Sequence, residues 1–473
     1  MEAIALDSLS PGTVVDRDLY SSKGTLLIAG GSTISREHLD KLRKLNIFEV
    51  YVERKEGEDD LDKLLSRQFE ELDELETETG TPVAAPPDKQ GGPREDADVA
   101  LPSRKRPRKQ LTRAVREAPL EELKASPTVL EADKRIREAR TPDRPFGKAL
   151  KETISQPAVG ERTEEYKQGV VASYEEALQQ AKTILNAIAE DRLITIKDIA
   201  PLVRQLVALF VTDHNIVLNL AGTRSSGEDY IYHHSLNVCL LSINIAASYG
   251  YNERQVEEIG VAALLHDVGM LAVPPRIRLH TGRFSREDWY EVQKHPILGL
   301  HLLEEITGLP DSAGLVAYQT HERENGKGYP KQRVGRLIHR FAKLVQLADV
   351  YEAMSSPRPH REPLVPYRAM ENLVKMARQG IVSSEFLTAF LDYTSLFPVG
   401  SIVQLSDGRM GKVVSANKSR YAKPVVSILT NSRGRLKARD EVEAVDLLQQ
   451  RDVQISRALP MVYLQNVGPM DGF

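Results

Sequence analysis

The sequence predicts a mainly α-helical protein with small β-rich modules at its N- and C-termini, and three observations carry that expectation. From Ser173 to about Tyr393 apolar residues recur at three- and four-residue spacing, the period of a helix with one buried face. After Phe397-Pro398, and again within the first 55 residues, the period drops to two, as in half-buried strands. Between the first β-rich stretch and the helical region lies a charged segment that holds 11 of the 26 prolines and only two aromatic residues, Phe69 and Phe146. At 473 residues the chain is too long for one core, and about 150 residues per domain gives roughly three units.

Taken in order, residues 1–55 read as a small α/β module. Val14-Val15 and Leu26-Leu27-Ile28 flank Gly24, a short amphipathic helix carries Leu39, Leu42 and Leu45, and Val50-Tyr51-Val52 closes it. Residues 56–165 read as a linker, disordered or partly helical, because so polar a composition buries too little apolar surface to offset ordering entropy. Its RKRPRK cluster, Arg104 to Lys109, reads as a solvated charge run. The helical domain spans 166–393, with Ser173 and Glu176 forming an S-x-x-E capping box at a helix start. Residues 394–450 read as a small β-barrel-like module, in which SIVQLSDGRMGKVV is a hairpin turning at Asp407-Gly408. Residues 451–473 form a tail.

Composition narrows the function classes. The net charge of −4 is spread over 63 basic and 67 acidic residues, so no global field marks a DNA, RNA or membrane-surface binder. A single cysteine, Cys239, excludes an internal disulfide and any thiolate zinc cluster and fits a reducing, cytoplasmic setting. No apolar run approaches the roughly 20 residues needed to span a bilayer, and MEAIALDSLSPG lacks the pattern of a secretory signal.

The histidines are not scattered: ten of eleven lie between His214 and His360. His234 shares a helical face with Val238, Leu241 and Ile245, and His266 shares one with Ile259 and Ala263, with Asp267 directly after it. His295 ends the helix DWYEVQKHP, where Pro296 forces a kink or restart, and His321 lies four residues after Ala317 as its helix runs out. Asp349 sits on the apolar stripe of Ile338, Ala342 and Val345, a costly place for a carboxylate unless it is paired or bound to metal. Any one of these alone reads as a satisfied core residue. Four histidines and two aspartates on five successive helices are what a nitrogen- and oxygen-ligated metal centre requires, and Asp267 has the two oxygens to bridge a pair of ions.

The order His234, His266-Asp267, Asp349 is similar to the H…HD…D signature of the HD metal-dependent phosphohydrolases. His295-Pro296 and the string HERENGKGYP, His321 to Pro330, resemble the HD-GYP subfamily of bacterial cyclic di-GMP phosphodiesterases and receptors, with a motif core over about 225–375. The resemblance implies two divalent metal ions, iron or manganese, held by His234, His266, Asp267, His295, His321 and Asp349. It implies hydrolysis of cyclic di-GMP to linear dinucleotide or GMP by metal-activated water, with His266 and Asp267 catalytic. Arg358, Arg361, Tyr329 and His280 would meet the substrate, and a homodimer or a signalling protein partner remains open.

The chain departs from the family pattern at five positions. Thr320 stands where a second histidine precedes the glutamate, Met270 and His280 stand for lysines, Asn325 for an aspartate, and Tyr230 where three-metal members carry a glutamate. The alternative expectation is therefore a catalytically degenerate domain that binds cyclic di-GMP or acts as a signalling scaffold.

Overall fold

Period-two patterning at the N-terminus pairs into an antiparallel four-stranded sheet. Strands β1 (Glu2–Ala5), β2 (Leu19–Tyr20), β3 (Leu26–Ile28) and β4 (Glu49–Val52) lie in the order β1-β4-β2-β3, with helix α1 (Arg36–Lys44) between β3 and β4 in sequence. Leu39 and Leu42, one turn apart on α1, close a core with Val15, Leu19, Ile28 and Ile34. The computed structural model describes residues 2–5, 15, 19–20, 26–28, 32–44, 49–52, 113–138, 144–154, 163–220, 229–280, 282, 284–356, 364–417, 420–438, 441–450 and 452–459. The chain divides into two units, Met1–Pro82 and Val83–Phe473. Leu45 of the predicted helix and the RKRPRK cluster lie outside the described residues.

The segment expected to be a disordered or partly helical linker is helical in part. Within the segment expected to be a linker, helices α2 (Arg113–Glu117), α3 (Leu120–Lys124) and α4 (Pro127–Glu138) are formed. Leu120, Leu123, Val129 and Ala132 are buried against Ile297, Leu298, Leu300, Leu315 and Tyr318. Composition averaged over 110 residues hid this short amphipathic stretch. Two of its prolines also serve helix formation: Pro119 precedes α3 and Pro127 opens α4, positions whose N–H has no helical partner to lose.

The helical domain follows. Helix α5 (Glu164–Ala189) starts earlier than the sequence suggested: Thr163 caps it by accepting from the Tyr166 N–H at 3.2 Å. Ser173 lies inside α5 and donates to the Gly169 carbonyl at 2.9 Å, so the S-x-x-E pattern is not a cap here. Helices α6 (Ile196–Leu220), α7 (Tyr230–Tyr249) and α8 (Glu253–Leu265) come next, then the short α9 (Pro275–Arg278) and α10 (Arg286–Val292). Helices α11 (His295–Glu304), α12 (Asp311–Gln319), α13 (Arg340–Ser355), α14 (Pro366–Arg378) and α15 (Ser384–Thr394) complete it. Helix α7 is buried almost all round, packed against α5, α6, α8, α13 and α15, which explains why it is hydrophobic without a clear polar stripe. Any polar side chain on it is thereby forced to find a partner inside the protein.

At the C-terminal end, strands β5 (Ile402–Leu405), β6 (Met410–Ser415), β7 (Val425–Ile428), β8 (Glu443–Asp446) and β9 (Ile455–Leu459) form one antiparallel sheet in the order β8-β7-β6-β5-β9. The predicted hairpin is present, with Gly408 in the left-handed region at φ +86° in the turn between β5 and β6. Two expectations change. The element is an open sheet among the described residues, with β8 and β9 at its edges, and β9 comes from the segment read as a tail. Ile455 and Leu459, buried at the two ends of β9, were too short a signal to stand out in the sequence.

Candidate metal centre

Each candidate ligand is delivered by the end or the inner face of a helix. His234 lies in the first turns of α7, and His266 is the residue on which α8 ends. Asp267 follows and opens the 3₁₀ turn Val268–Ala272. Gly269 in that turn sets the geometry: a Cβ there would sit 2.0 Å from the His295 carbonyl oxygen and 2.5 Å from the Gly299 nitrogen, so only glycine lets the turn approach α11. His295 begins α11 rather than ending the preceding helix, because Pro296 falls in the first turn, where its missing N–H is harmless. His321 comes just after α12, and Asp349 faces inward from α13.

The six side chains are buried and converge. Asp267 is the hub: Oδ1 lies 3.0 Å from His321 Nε2, 3.2 Å from His295 Nε2 and 3.5 Å from His266 Nε2, while Oδ2 lies 3.6 Å from His234 Nε2. Asp349 approaches from the other side, Oδ1 at 3.3 Å from His234 Nε2 and Oδ2 at 3.7 Å from His321 Nδ1. Two groups have ligand atoms all within 4.8 Å of one another, His234-His266-Asp267 and Asp267-His295-His321. Asp267 belongs to both.

The hydrogen bonds on the far side of each ring say what belongs in the middle. His266 Nδ1 lies 2.8 Å from the Ala263 carbonyl and His295 Nδ1 lies 2.7 Å from the Val292 carbonyl. A carbonyl only accepts, so Nδ1 carries the hydrogen and Nε2 of the neutral ring presents a lone pair. Nε2 of His234, His266 and His295 is buried, and what faces it is a carboxylate, Asp267 for all three rings and Asp349 for His234 as well. Lone pairs facing a carboxylate need positive charge between them. Protons on all four rings would bury four imidazolium charges against two aspartates, an expensive arrangement. A divalent cation meets the same need with the donor set that nitrogen- and oxygen-ligated transition metals take, so the residues present fit such a metal.

The electrostatics agree. Burial disfavours an imidazolium at His234, but the Glu352 carboxylate and hydrogen bonds to Asp267, Asp349 and Glu352 outweigh it and hold the ring well above its usual pKa. Burial pushes the Asp267 carboxyl up, and the facing His266 and His295, with hydrogen bonds from His234 and His295, bring it well below the usual carboxylate range. Asp349 is likewise held low despite burial, chiefly by its hydrogen bond with His234. His321 goes the other way: burial lowers it and keeps the ring neutral. The site thus favours ionised aspartates, as metal ligation requires.

Sequence reasoning missed Glu352. It lies three residues after Asp349 on α13, fully inside, and Oε2 is 2.5 Å from His234 Nδ1. Asn237 donates to its other oxygen at 3.4 Å, and Tyr174 donates to Asn237 at 2.8 Å. This chain fixes the orientation of the His234 ring and makes it more basic. The i, i+3 spacing of two acids on an otherwise apolar stripe was the available signal.

The departures from the family pattern have structural counterparts. Thr320 is fully buried, but its hydroxyl donates to the Val316 carbonyl at 2.7 Å, within its own helix. Met270 packs against the cluster of Val273, Ile277 and Val292 together with Phe284. Asn325 accepts from the Lys327 N–H at 3.1 Å and shapes the turn of the loop. His280 is exposed beside Phe284, and the ion pairs and ring contacts of the cluster do not include it. Arg358 and Arg361 lie outside the described residues.

The loop after His321 folds back over the cluster. The Tyr329 N–H donates to the His321 carbonyl at 3.0 Å, and the two rings stack with centroids 5.0 Å apart and planes 1° from parallel. Gly328 makes this possible by close approach: a Cβ would lie 2.5 Å from Glu322 Cα. Beyond Tyr329, the ring of Trp289 stands edge-on at 5.6 Å and is 41% exposed. An aromatic ladder thus runs from the histidines to the surface.

Residues 224–382 match the family model of the HD domain, and residues 402–466 match a KOW domain associated with HD domains. A cyclic di-GMP phosphodiesterase of Pseudomonas aeruginosa is 31% identical over 247 residues, 52% of this chain and 58% of the relative. The cyclic di-GMP phosphodiesterase response regulator RpfG of Xanthomonas campestris is 36% identical over 119 residues, 25% and 32% of the two chains. A 3'3'-cGAMP-specific phosphodiesterase of Vibrio cholerae is 30% identical over 176 residues, 37% and 33% of the two chains. The chain therefore spans between a third and somewhat over half of these relatives' length. No helix among the described residues is long and apolar enough to cross a membrane. With a shared aspartate between two histidine groups and a GYP loop stacked on one of them, the matched residues form a helical HD domain, and that domain is similar to those of HD-GYP type proteins.

Proposed function

We propose that this chain is a metal-dependent phosphodiesterase that hydrolyses cyclic di-GMP to the linear dinucleotide or GMP. The observation that carries the proposal is Asp267, whose carboxylate is common to two histidine groups. Iron or manganese are the cations proposed. His234, His266, Asp267 and Asp349 would hold one ion, and Asp267, His295 and His321 the other. Such a pair supplies Lewis acidity toward a phosphoryl oxygen and lowers the pKa of water.

The chain's own residues do the rest. Glu352 and the Ala263 and Val292 carbonyls hold three rings in the tautomer that points Nε2 inward. The helices around the cluster exclude bulk water, so charges there act at low dielectric. The ladder of His321, Tyr329 and Trp289 offers purine bases a stacking face, a contact worth about 1–3 kcal/mol per base. Arg358 and Arg361, which follow α13 in the sequence, are proposed to meet the phosphates. His280 is exposed and could reach a substrate only at the rim.

The experiment is hydrolysis of cyclic di-GMP by the full chain with its metal content verified, with 3'3'-cGAMP as the competing substrate suggested by the Vibrio relative's name. Turnover of cyclic di-GMP dependent on manganese or ferrous iron is expected, and intact substrate at two ions per chain removes the proposal. A second reading, a receptor that binds without turnover, is favoured by the Thr320 hydroxyl turned to Val316 and by Met270 in an apolar cluster. Quenching of Trp289, the one tryptophan, by cyclic di-GMP without product would select it.

A further inference from the structure

The α3–α4 segment is not only docked; it grips the loop that covers the metal centre. Asp133 on α4 is mostly buried and pairs with Arg333, accepts from the Tyr318 hydroxyl at 3.0 Å, and lies 3.6 Å from Lys331 Nζ. Lys331 Nζ also donates to the Lys124 carbonyl, the last residue of α3, at 2.8 Å. The Arg333 guanidinium lies over the Tyr318 ring at 4.7 Å. Lys331 and Arg333 are the first and third residues after the GYP triplet.

The same two residues are held from inside. Their backbone N–H groups donate to the two carboxylate oxygens of Glu322, each at 2.8 Å, and Glu322 is fully buried next to the ligand His321. Gln346 of α13 donates to the Glu322 carbonyl. Tyr329 is thus joined to His321 by a backbone hydrogen bond and ring stacking, while the strand that leaves it is clamped between Glu322 on one side and Asp133 on the other. Asp133 is the side chain of this arrangement that comes from outside the HD domain match, as the Lys124 carbonyl also does.

We propose that Asp133 is a positioning residue for the GYP loop: through Arg333 and Lys331 it sets the placement of Tyr329 over His321, and with it the alignment of a phosphodiester at the metal centre. The α3–α4 segment is then a functional part of the site, through which displacement of the preceding chain reaches the chemistry. The rate arm of the test rests on the phosphodiesterase reading; the spectroscopic arm does not.

The test uses the full chain. Asp133→Asn keeps the shape and removes the charge, Asp133→Glu keeps the charge, and Asp311→Asn is the docking control, since it breaks the exposed Arg135–Asp311 pair at 3.4 Å that fastens the same helix away from the loop. Trp289 reports on Tyr329 through its edge-on contact. For Asp133→Asn the expected result is a shifted Trp289 emission, an unchanged metal content, and kcat/KM on cyclic di-GMP lower by about ten- to a hundredfold, the size of effect a misplacement of about 1 Å produces. Asp133→Glu returns emission and rate toward wild type, and Asp311→Asn changes neither. Should Asp133→Asn fail to fold, Lys331→Met, which removes one cation from Asp133, is expected to move emission and rate the same way by less. Wild-type emission and rate in Asp133→Asn, or in Lys331→Met where that variant stands in, overturn the proposal. Equal changes in Asp133→Asn and Asp311→Asn reduce Asp133 to a docking contact and overturn it as well. A wild-type protein without turnover removes the phosphodiesterase reading and leaves the emission arm to decide on Asp133.

Discussion

The two flanks of the metal centre are built by different means. On the His234 flank a side-chain relay, Tyr174-Asn237-Glu352, braces the ring, and Asp349 stands 3.3 Å from it. On the His295–His321 flank the bracing is a main-chain carbonyl and a stacked tyrosine, and the adjacent Thr320 hydroxyl is committed to its own helix. The first flank is braced by side chains, rich in negative charge and suited to retain a cation. The second has fewer donors and is coupled to a loop, so under the proposed function it is the flank where substrate would meet the cation.

The strongest way to break this contrast is to remove what both flanks share. Asp267→Asn is expected to abolish turnover, a fall of about a thousandfold or more, and elemental analysis should find both ions lost. Retention of one full ion would show that the flanks do not depend on a common carboxylate. Next in size, Glu352→Gln removes the charge behind His234 and is expected to weaken metal retention by about 10- to 100-fold, measured by chelator competition. If retention stays at wild-type level, the relay is structural packing only.

The contrast sharpens by giving the poorer flank a donor. Thr320→His combined with Met270→Lys is expected to tighten the second ion by about tenfold, equivalent to about 1.4 kcal/mol, and to raise turnover at limiting manganese. A manganese titration that superimposes on wild type counts against a donor deficit at Thr320. The smallest effect is in stability against pH. His234 is raised above its ordinary 6.5, so its protonation stabilises the metal-free fold fully below pH 6.5, and that contribution is lost as pH rises through the folded value. Asp267 and Asp349 are lowered from 3.8, and their contribution is present above that pH and lost as it falls through the folded values. Chelated protein should therefore lose a few degrees of Tm on alkalinisation above pH 6.5, and manganese should suppress the loss by taking the proton's place. An identical fall with manganese present would show that the cation does not bind at His234.

The helical class, the hairpin at Asp407-Gly408 and the convergence of six buried side chains were legible because periodicity and motif order are local or ordered signals. Glu352 was harder to see, since its role exists only once α7 and α13 are packed. The helices from Arg113 to Glu138 were obscured by the proline-rich segment around them, although Leu120, Leu123 and Val129 carry a short apolar face. The start of α5 was misplaced because a good capping pattern at Ser173 competes poorly with the nine residues of uninterrupted helix, Glu164 to Ala172, that follow the Thr163 cap. His295 was placed at the end of the preceding helix with a kink or restart at Pro296, and the structure has the restart, because proline suits a first turn.

One carboxylate common to two candidate cation seats carries a thermodynamic obligation once both are filled. Whatever factor the occupant of one seat imposes on its neighbour's affinity must be returned unchanged. Loading curves for this protein should accordingly resist description by a pair of independent constants, and cellular metal supply would then set activity through a steep or a flattened response according to the sign of that factor.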